Sequence, residues 1–110
     1  MLSKREKLLK IDFDDGQSFA LPAEYLRVES PSAEVQGHGP DERKIIGGKR
    51  DVQITGVEPV GNYAVRLVFD DGHATGIYSW AYLHELGTNR AERWKTYLDA
   101  LDAQGLGRDR

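Results

Sequence analysis

Ile11-Asp12-Phe13-Asp14-Asp15-Gly16 returns downstream as Leu67-Val68-Phe69-Asp70-Asp71-Gly72. Each copy is an apolar run that ends in an Asp-Asp-Gly turn. Glycine tolerates the positive φ that a tight turn demands, so Asp-Gly between β-prone runs signals a hairpin. The echo continues beyond the turn. Ser18-Phe19-Ala20-Leu21 leads through Pro22 into Ala23-Glu24-Tyr25-Leu26-Arg27, and Ala74-Thr75-Gly76-Ile77-Tyr78 leads through Ser79 into Trp80-Ala81-Tyr82-Leu83. Phe13 and Phe69 are 56 positions apart and Tyr25 and Tyr82 are 57 apart, so the register holds to within one residue. The repeat predicts two hairpin-plus-short-helix units, with Phe13, Phe69, Tyr25 and Tyr82 in matching core places.

Working outward, Leu8 to Phe13 and Ser18 to Leu21 read as the first hairpin. Pro22 suits the first position of a helix over Ala23 to Arg27, where a missing N–H costs nothing. Val28 to Ser30 reads as a brief extended piece limited by Pro31. Ser32 to Asp51 is rich in turn residues, and a connection of that length is uncommon in a compact domain and often functional. Val52 to Val60 is β-prone, and Gly61-Asn62 makes the next turn. Tyr63, Val65, Leu67 and Phe69 then alternate onto one face, the period of a strand with one side buried. His73 to Tyr78 returns through the second Asp-Gly turn, and Ser79 suits the N-cap of a helix ending at Gly87. Asn89 with Glu92 resembles a capping box. Trp94, Tyr97, Leu98 and Leu101 form an apolar stripe at helical spacing, expected to pack on the sheet. Gly105 and Gly107 end that helix, and the tail beyond is expected to fray. The expectation is an α+β chain, mainly antiparallel β, with two hairpin-plus-short-helix units and a C-terminal amphipathic helix over about 89–103.

Composition excludes whole classes of function. The 110 residues suit a single domain, 1–110. With 39% apolar and 30% charged residues the chain is a globular protein rather than a disordered one. It has no cysteine, which removes disulfides, cysteine-ligated zinc, iron–sulfur ligation and thiol catalysis. A net charge of −3 argues against general nucleic-acid binding. Lys4-Arg5-Glu6-Lys7 is followed by only Leu8 and Leu9, so no signal-peptide core exists, and no apolar run is long enough for a membrane span. A cytoplasmic location is the default expectation.

Candidate chemistry is sparse. The three histidines, His38, His73 and His84, would need to converge with acids such as Asp41 or Asp71 to hold a metal, and none stands in a His-x-Asp or His-x-Glu pair. Asp14-Asp15 and Asp70-Asp71 look like paired carboxylates, but aspartate at a turn serves first to cap backbone donors. Gly47-Gly48-Lys49 lacks the spacing of a phosphate-binding loop. The loop from Gly37 to Asp51 carries Arg43, Lys44, Lys49 and Arg50 on an acidic chain. His38, Lys49, Arg50 and Asp51 are therefore the candidate contacts for an acidic protein partner, since loops on rigid scaffolds are favoured binding sites and arginine is enriched at interface hot spots.

Several longer words carry a resemblance. Leu26-Arg27-Val28-Glu29-Ser30-Pro31-Ser32-Ala33-Glu34-Val35, Gly37-His38-Gly39-Pro40, Gly48-Lys49-Arg50-Asp51-Val52, Val57-Glu58-Pro59-Val60-Gly61-Asn62-Tyr63-Ala64-Val65 and Phe69-Asp70-Asp71-Gly72-His73 occur in order. Over about residues 8–87 the chain resembles the small bacterial domain-of-unknown-function family related to the N-terminal domain of gamma-butyrobetaine hydroxylase. The resemblance implies a mainly β domain that in the hydroxylases precedes a separate catalytic domain holding iron and 2-oxoglutarate, so oxygenase activity is not expected here. It also implies a zinc site in the hydroxylases, built from a Cys-x-Cys-x-x-Cys run and a later histidine. The matching positions here are Ser30, Ser32 and Val35, with His73 as the histidine, so neither zinc nor another cofactor is expected. Related domains fused to iron–sulfur carrier ATPases imply, by association, a role near iron–sulfur or metal metabolism. Two functions follow as expectations: a non-enzymatic accessory or adaptor domain binding a protein partner, or a metal- or ligand-binding domain assisting an oxygenase encoded in another chain.

Overall fold

The computed structural model describes residues 7–32, 35 and 45–109, and the backbone of residues 2 and 3. Among the described residues, two three-stranded antiparallel sheets and the three helices named below make an α+β fold. The first sheet holds β1 (Leu2–Ser3), β2 (Leu8–Asp12) and β3 (Ser18–Pro22), in that order. Helix α1 (Ala23–Val28) follows directly. The second sheet holds β4 (Ile54–Val60), β5 (Ala64–Phe69) and β6 (Ile77–Ser79). It runs straight into α2 (Trp80–Thr88), and α3 (Arg90–Ala103) follows after the single residue Asn89.

The two Asp-Asp-Gly turns fold alike, bond for bond. The Phe13 amide donates to Gln17 O at 2.8 Å and the Gly16 amide to Phe13 O at 3.1 Å. In the second copy the Phe69 amide donates to His73 O at 2.9 Å and the Gly72 amide to Phe69 O at 3.2 Å. Gly16 and Gly72 take φ of 86° and 91°, the left-handed region that their lack of Cβ permits. In each turn the second aspartate caps an amide two residues on. Asp15 Oδ1 accepts from Gln17 N at 2.9 Å, and Asp71 Oδ1 from His73 N at 3.0 Å.

The same offset relates contacts between the units, and each unit reaches across to the other. The Tyr25 hydroxyl on α1 donates to Leu86 O on α2 at 2.7 Å, while the Tyr82 hydroxyl on α2 donates to Glu29 O at the end of α1 at 2.5 Å. Asp15 of the first turn meets His84 on α2 at 2.8 Å, and Asp71 of the second turn meets Arg27 on α1 at 2.8 Å. Helix ends leave carbonyls without intrahelical partners. A third hydroxyl, from Tyr78, donates to Leu26 O at 2.5 Å. Burial pushes the Tyr25 and Tyr78 hydroxyls well above the usual phenol range, so both stay protonated as donors.

The main core lies between the sheets and the first two helices. Leu9 and Leu21 come from the first sheet, Leu67, Phe69 and Tyr78 from the second, and Leu26, Leu83 and Leu86 from the helices. Phe69 and Tyr25 are fully inside, as the repeat predicted, whereas Phe13 and Tyr82 pack only at the margin. Tyr63 departs from its expected face and is 62% exposed, because β5 begins at Ala64 and Tyr63 belongs to the turn. The edge strand β4 carries Pro59, which lacks the donor that a further strand would need, and a register irregularity at Ile54/Gly56.

Four local expectations are corrected. Val28 ends α1 rather than starting an extended piece. His73 to Gly76 do not form strand, and only Ile77–Ser79 pairs with β5. Asn89 makes no side-chain cap, because the one-residue link gives its backbone to closing α2, with its amide on Glu85 O at 2.9 Å. The stripe of α3 reaches the main core only through Trp94. Tyr97 and Leu101 pack on Val28 of α1 with Ile45 and Ile46, while Leu98 faces outward. The Ser79 cap forms as expected, its Oγ accepting from Tyr82 N at 3.1 Å.

Candidate functional site

Ser30, Ser32, Val35 and His73 come together although 43 residues separate Ser30 from His73. The end of α1 delivers the serines, and the turn after β5 delivers the histidine. Ser30 Oγ lies 2.9 Å from His73 Nε2, and Ser32 Oγ lies 2.6 Å from Thr75 Oγ1. The Ser32 amide donates to Ser30 Oγ at 3.3 Å, and the Val35 amide to Ser32 O at 3.0 Å. All four residues are buried. Zinc is held by thiolate, imidazole or carboxylate. This cluster offers one imidazole, two hydroxyls and an isopropyl group, so its donor set does not fit zinc. Among the described residues no group of three or more His, Asp or Glu side chains is placed to hold a metal.

Beside it lies a charged cluster centred on Asp71. Its carboxylate, 9% exposed, meets Arg27 Nε at 2.8 Å and Lys49 Nζ at 2.7 Å. Burial alone would raise this carboxyl, but hydrogen bonds from Lys49, the His73 amide and Arg27 outweigh it and hold the group down at about 2. Arg27 Nη1 is buried and finds no hydrogen-bond partner among the described residues.

The segment 45–51 is fastened to the C-terminal tail, which is therefore not frayed. The Gly48 amide donates to Gly107 O at 2.9 Å and the Arg50 amide to Arg108 O at 3.0 Å. The Arg50 side chain pairs with Asp109 at 2.7 Å, and Lys7 with Asp51 at 3.5 Å. Lys49 thus turns inward to Asp71, while Arg50 and Asp51 stay on the surface. His38 lies outside the described residues. His73 and His84 serve different partners, Ser30 and Asp15.

One cavity escaped sequence reasoning. It measures about 540 Å³ and is lined by Pro22, Glu24, Tyr25, Gly87, Thr88, Arg90, Ala91, Trp94 and Arg108. Glu24, buried on α1, receives Arg108 Nε at 2.9 Å and Nη2 at 2.7 Å. That bond strengthens the proton hold of Arg108. The same guanidinium lies over the Trp94 ring at 5.2 Å. Arg90 Nη1 donates to Ala20 O at 2.9 Å. Glu24 and Arg108 are 84 residues apart, and no local pattern joins them.

Residues 1–84 match the family model described as gamma-butyrobetaine hydroxylase-like, N-terminal. One NMR solution structure shares 46% identity at a TM-score of 0.83, covering 99% of this chain and 87% of that one. A second NMR solution structure shares 49% identity at a TM-score of 0.83, with coverages of 98% and 80%. A crystal structure of a protein of unknown function from Acidithiobacillus ferrooxidans shares 39% identity at a TM-score of 0.67, with coverages of 79% and 86%. No curated protein matches the chain.

Proposed function

Because the chain belongs to the gamma-butyrobetaine hydroxylase-like N-terminal family, we propose that it is a non-enzymatic accessory domain that binds a protein partner. One observation carries this reading: among the described residues, the buried side chains suited to acid–base or nucleophilic work are spent on one another. Ser30 is engaged with His73, Ser32 with Thr75, Asp71 with Arg27 and Lys49, and Glu24 with Arg108. A general base must reach a substrate proton, and these groups are aimed inward. Their arrangement suits a scaffold.

The contact face we favour is the surface of the loop that ends at Asp51, with Arg50 and Asp51 at its centre, Lys49 bracing it from below and His38 in the same loop. The backbone at Gly48 and Arg50 is tied to the tail, so a partner would meet an ordered edge there at low entropic cost. The Arg50–Asp109 pair is open to solvent, with side chains 48% and 72% exposed. Such pairs are weak, so a partner's carboxylate can replace Asp109. An iron–sulfur or metal-metabolism partner is the narrower form of the proposal and rests on the resemblance.

The test is Arg50→Ala, read for melting temperature and for capture of a protein from native lysate. Lost capture with unchanged melting supports the face. Lost melting stability with intact capture means that Arg50 only orders the loop. The second reading, a metal- or ligand-holding helper of an oxygenase on another chain, is favoured in its ligand form by the cavity beside Trp94. A stoichiometric metal in tag-free protein would favour its metal form.

A further inference from the structure

The cavity between α1 and the α2–α3 junction has a composition that selects its ligand. Its volume of about 540 Å³ falls in the range of small-molecule sites, roughly 300–1,000 Å³. Its walls include two aromatic rings, Tyr25 and Trp94. Tyr25 and Trp94 meet edge to face, with ring centroids 6.2 Å apart at 81°. Arg108 is clamped, its Nε and Nη2 on the Glu24 carboxylate and its Cζ 5.2 Å from the centre of the Trp94 ring. A guanidinium fixed in this way is a stacking platform for a ring.

The charges divide unevenly. Arg108 neutralises Glu24, which is 6% exposed. Arg90 gives Nη1 to a neutral carbonyl, Ala20 O, and among the described residues it makes no ion pair. One positive charge in the cavity is therefore left without a counter-charge. With one Nη1 proton on Ala20 O, Arg90 still offers Nε and Nη2, the edge that grips a carboxylate in two-pronged fashion. A phosphate dianion would call for a second uncommitted cation, and Arg108 is already committed.

We propose that this cavity binds a small planar aromatic carboxylate, with the ring against Arg108 and Trp94 and the carboxylate on Arg90. The proposal goes beyond the partner-binding reading and does not depend on it, since no partner enters the test. The full chain, labelled with nitrogen-15, is titrated separately with indole-3-carboxylate and with its uncharged carboxamide. The expected result is shifted resonances for the amides of Gly87, Thr88 and Ala91 and for the Trp94 indole N–H, with the acid binding about fivefold tighter than the amide. Arg90→Gln should remove that preference and leave carboxamide binding in place. Ala91→Leu, at an exposed helix position on the cavity wall, should weaken both probes while the spectrum stays folded. Equal affinity for acid and amide, a preference that survives Arg90→Gln, shifts confined to other surfaces, or no shifts up to the solubility limit would each overturn the proposal.

Discussion

Replacing Asp71 with Asn separates two turns that look the same. Asn keeps the oxygen that caps the His73 amide and fits the same space, but it removes the charge facing Arg27 at 2.8 Å and Lys49 at 2.7 Å. Holding the carboxyl at about 2 instead of 3.8 corresponds to about 2 kcal/mol of stability at neutral pH. Removing the charge also strands the buried Arg27, while Lys49 can swing toward water, so a total loss of about 2–3 kcal/mol is expected. For a chain of this size, each 1 kcal/mol moves the melting temperature by about 4 °C or more. The sign with pH follows from the depressed carboxyl. Its contribution is complete above the unfolded value near 3.8 and vanishes as pH falls through about 2. Urea melts of parent and Asp71→Asn should therefore differ fully at pH 7 and converge between about pH 4 and 2. Asp15→Asn, in the matching turn, removes an exposed partner of His84 and should melt near the parent. Equal losses for the two variants, or a gap for Asp71→Asn that persists unchanged at pH 2, would refute the reasoning.

Tyr25→Phe and Tyr82→Phe each remove one hydroxyl from a helix-end carbonyl, and each should cost about 1–2 kcal/mol in chemical denaturation. A loss in one but not the other would show that the two cross-unit bonds are not equivalent. Arg108→Ala leaves the Glu24 carboxylate inside without its partner, and a loss of about 1–3 kcal/mol by thermal melting is expected. An unchanged melt would mean that the Glu24–Arg108 pair contributes nothing to stability.

What could be read from the sequence was whatever local chemistry decides. The Asp-Gly turns and the Ser79 cap each depend on a few adjacent residues, and each formed, while Pro22 stands at the N-cap of α1 rather than at its first helical position. The convergence of Ser30, Ser32, Val35 and His73 was legible through the family resemblance alone. Three kinds of feature were not legible. The stripe of α3 specified a buried face but not the surface that buries it, and Val28 with Ile45 and Ile46 took that place. Asn89 carried a capping signal, yet the abutment of two helices left it no non-helical entry to cap. The Glu24–Arg108 and Lys49–Asp71 pairs join distant segments through side chains that look like ordinary surface charge in the sequence.

The exchange of contacts between the two hairpin–helix units bears on how the chain unfolds. Each unit holds one member of every exchanged pair: Tyr25 without its acceptor Leu86 O, Asp71 without its cation Arg27, Tyr82 without Glu29 O. A fragment ending before β4 would keep only half of each bond and expose the apolar face that the other unit covers. Neither half is then a foldon of its own, so loss of one unit is coupled to loss of the other. The helix-end carbonyls of α1 and α2 are bonded across units, so amide hydrogen exchange in the two helices should share one opening free energy close to that of the whole molecule. Because these bonds span more than 40 residues, the cost of closing long loops falls before the reward arrives, which slows folding.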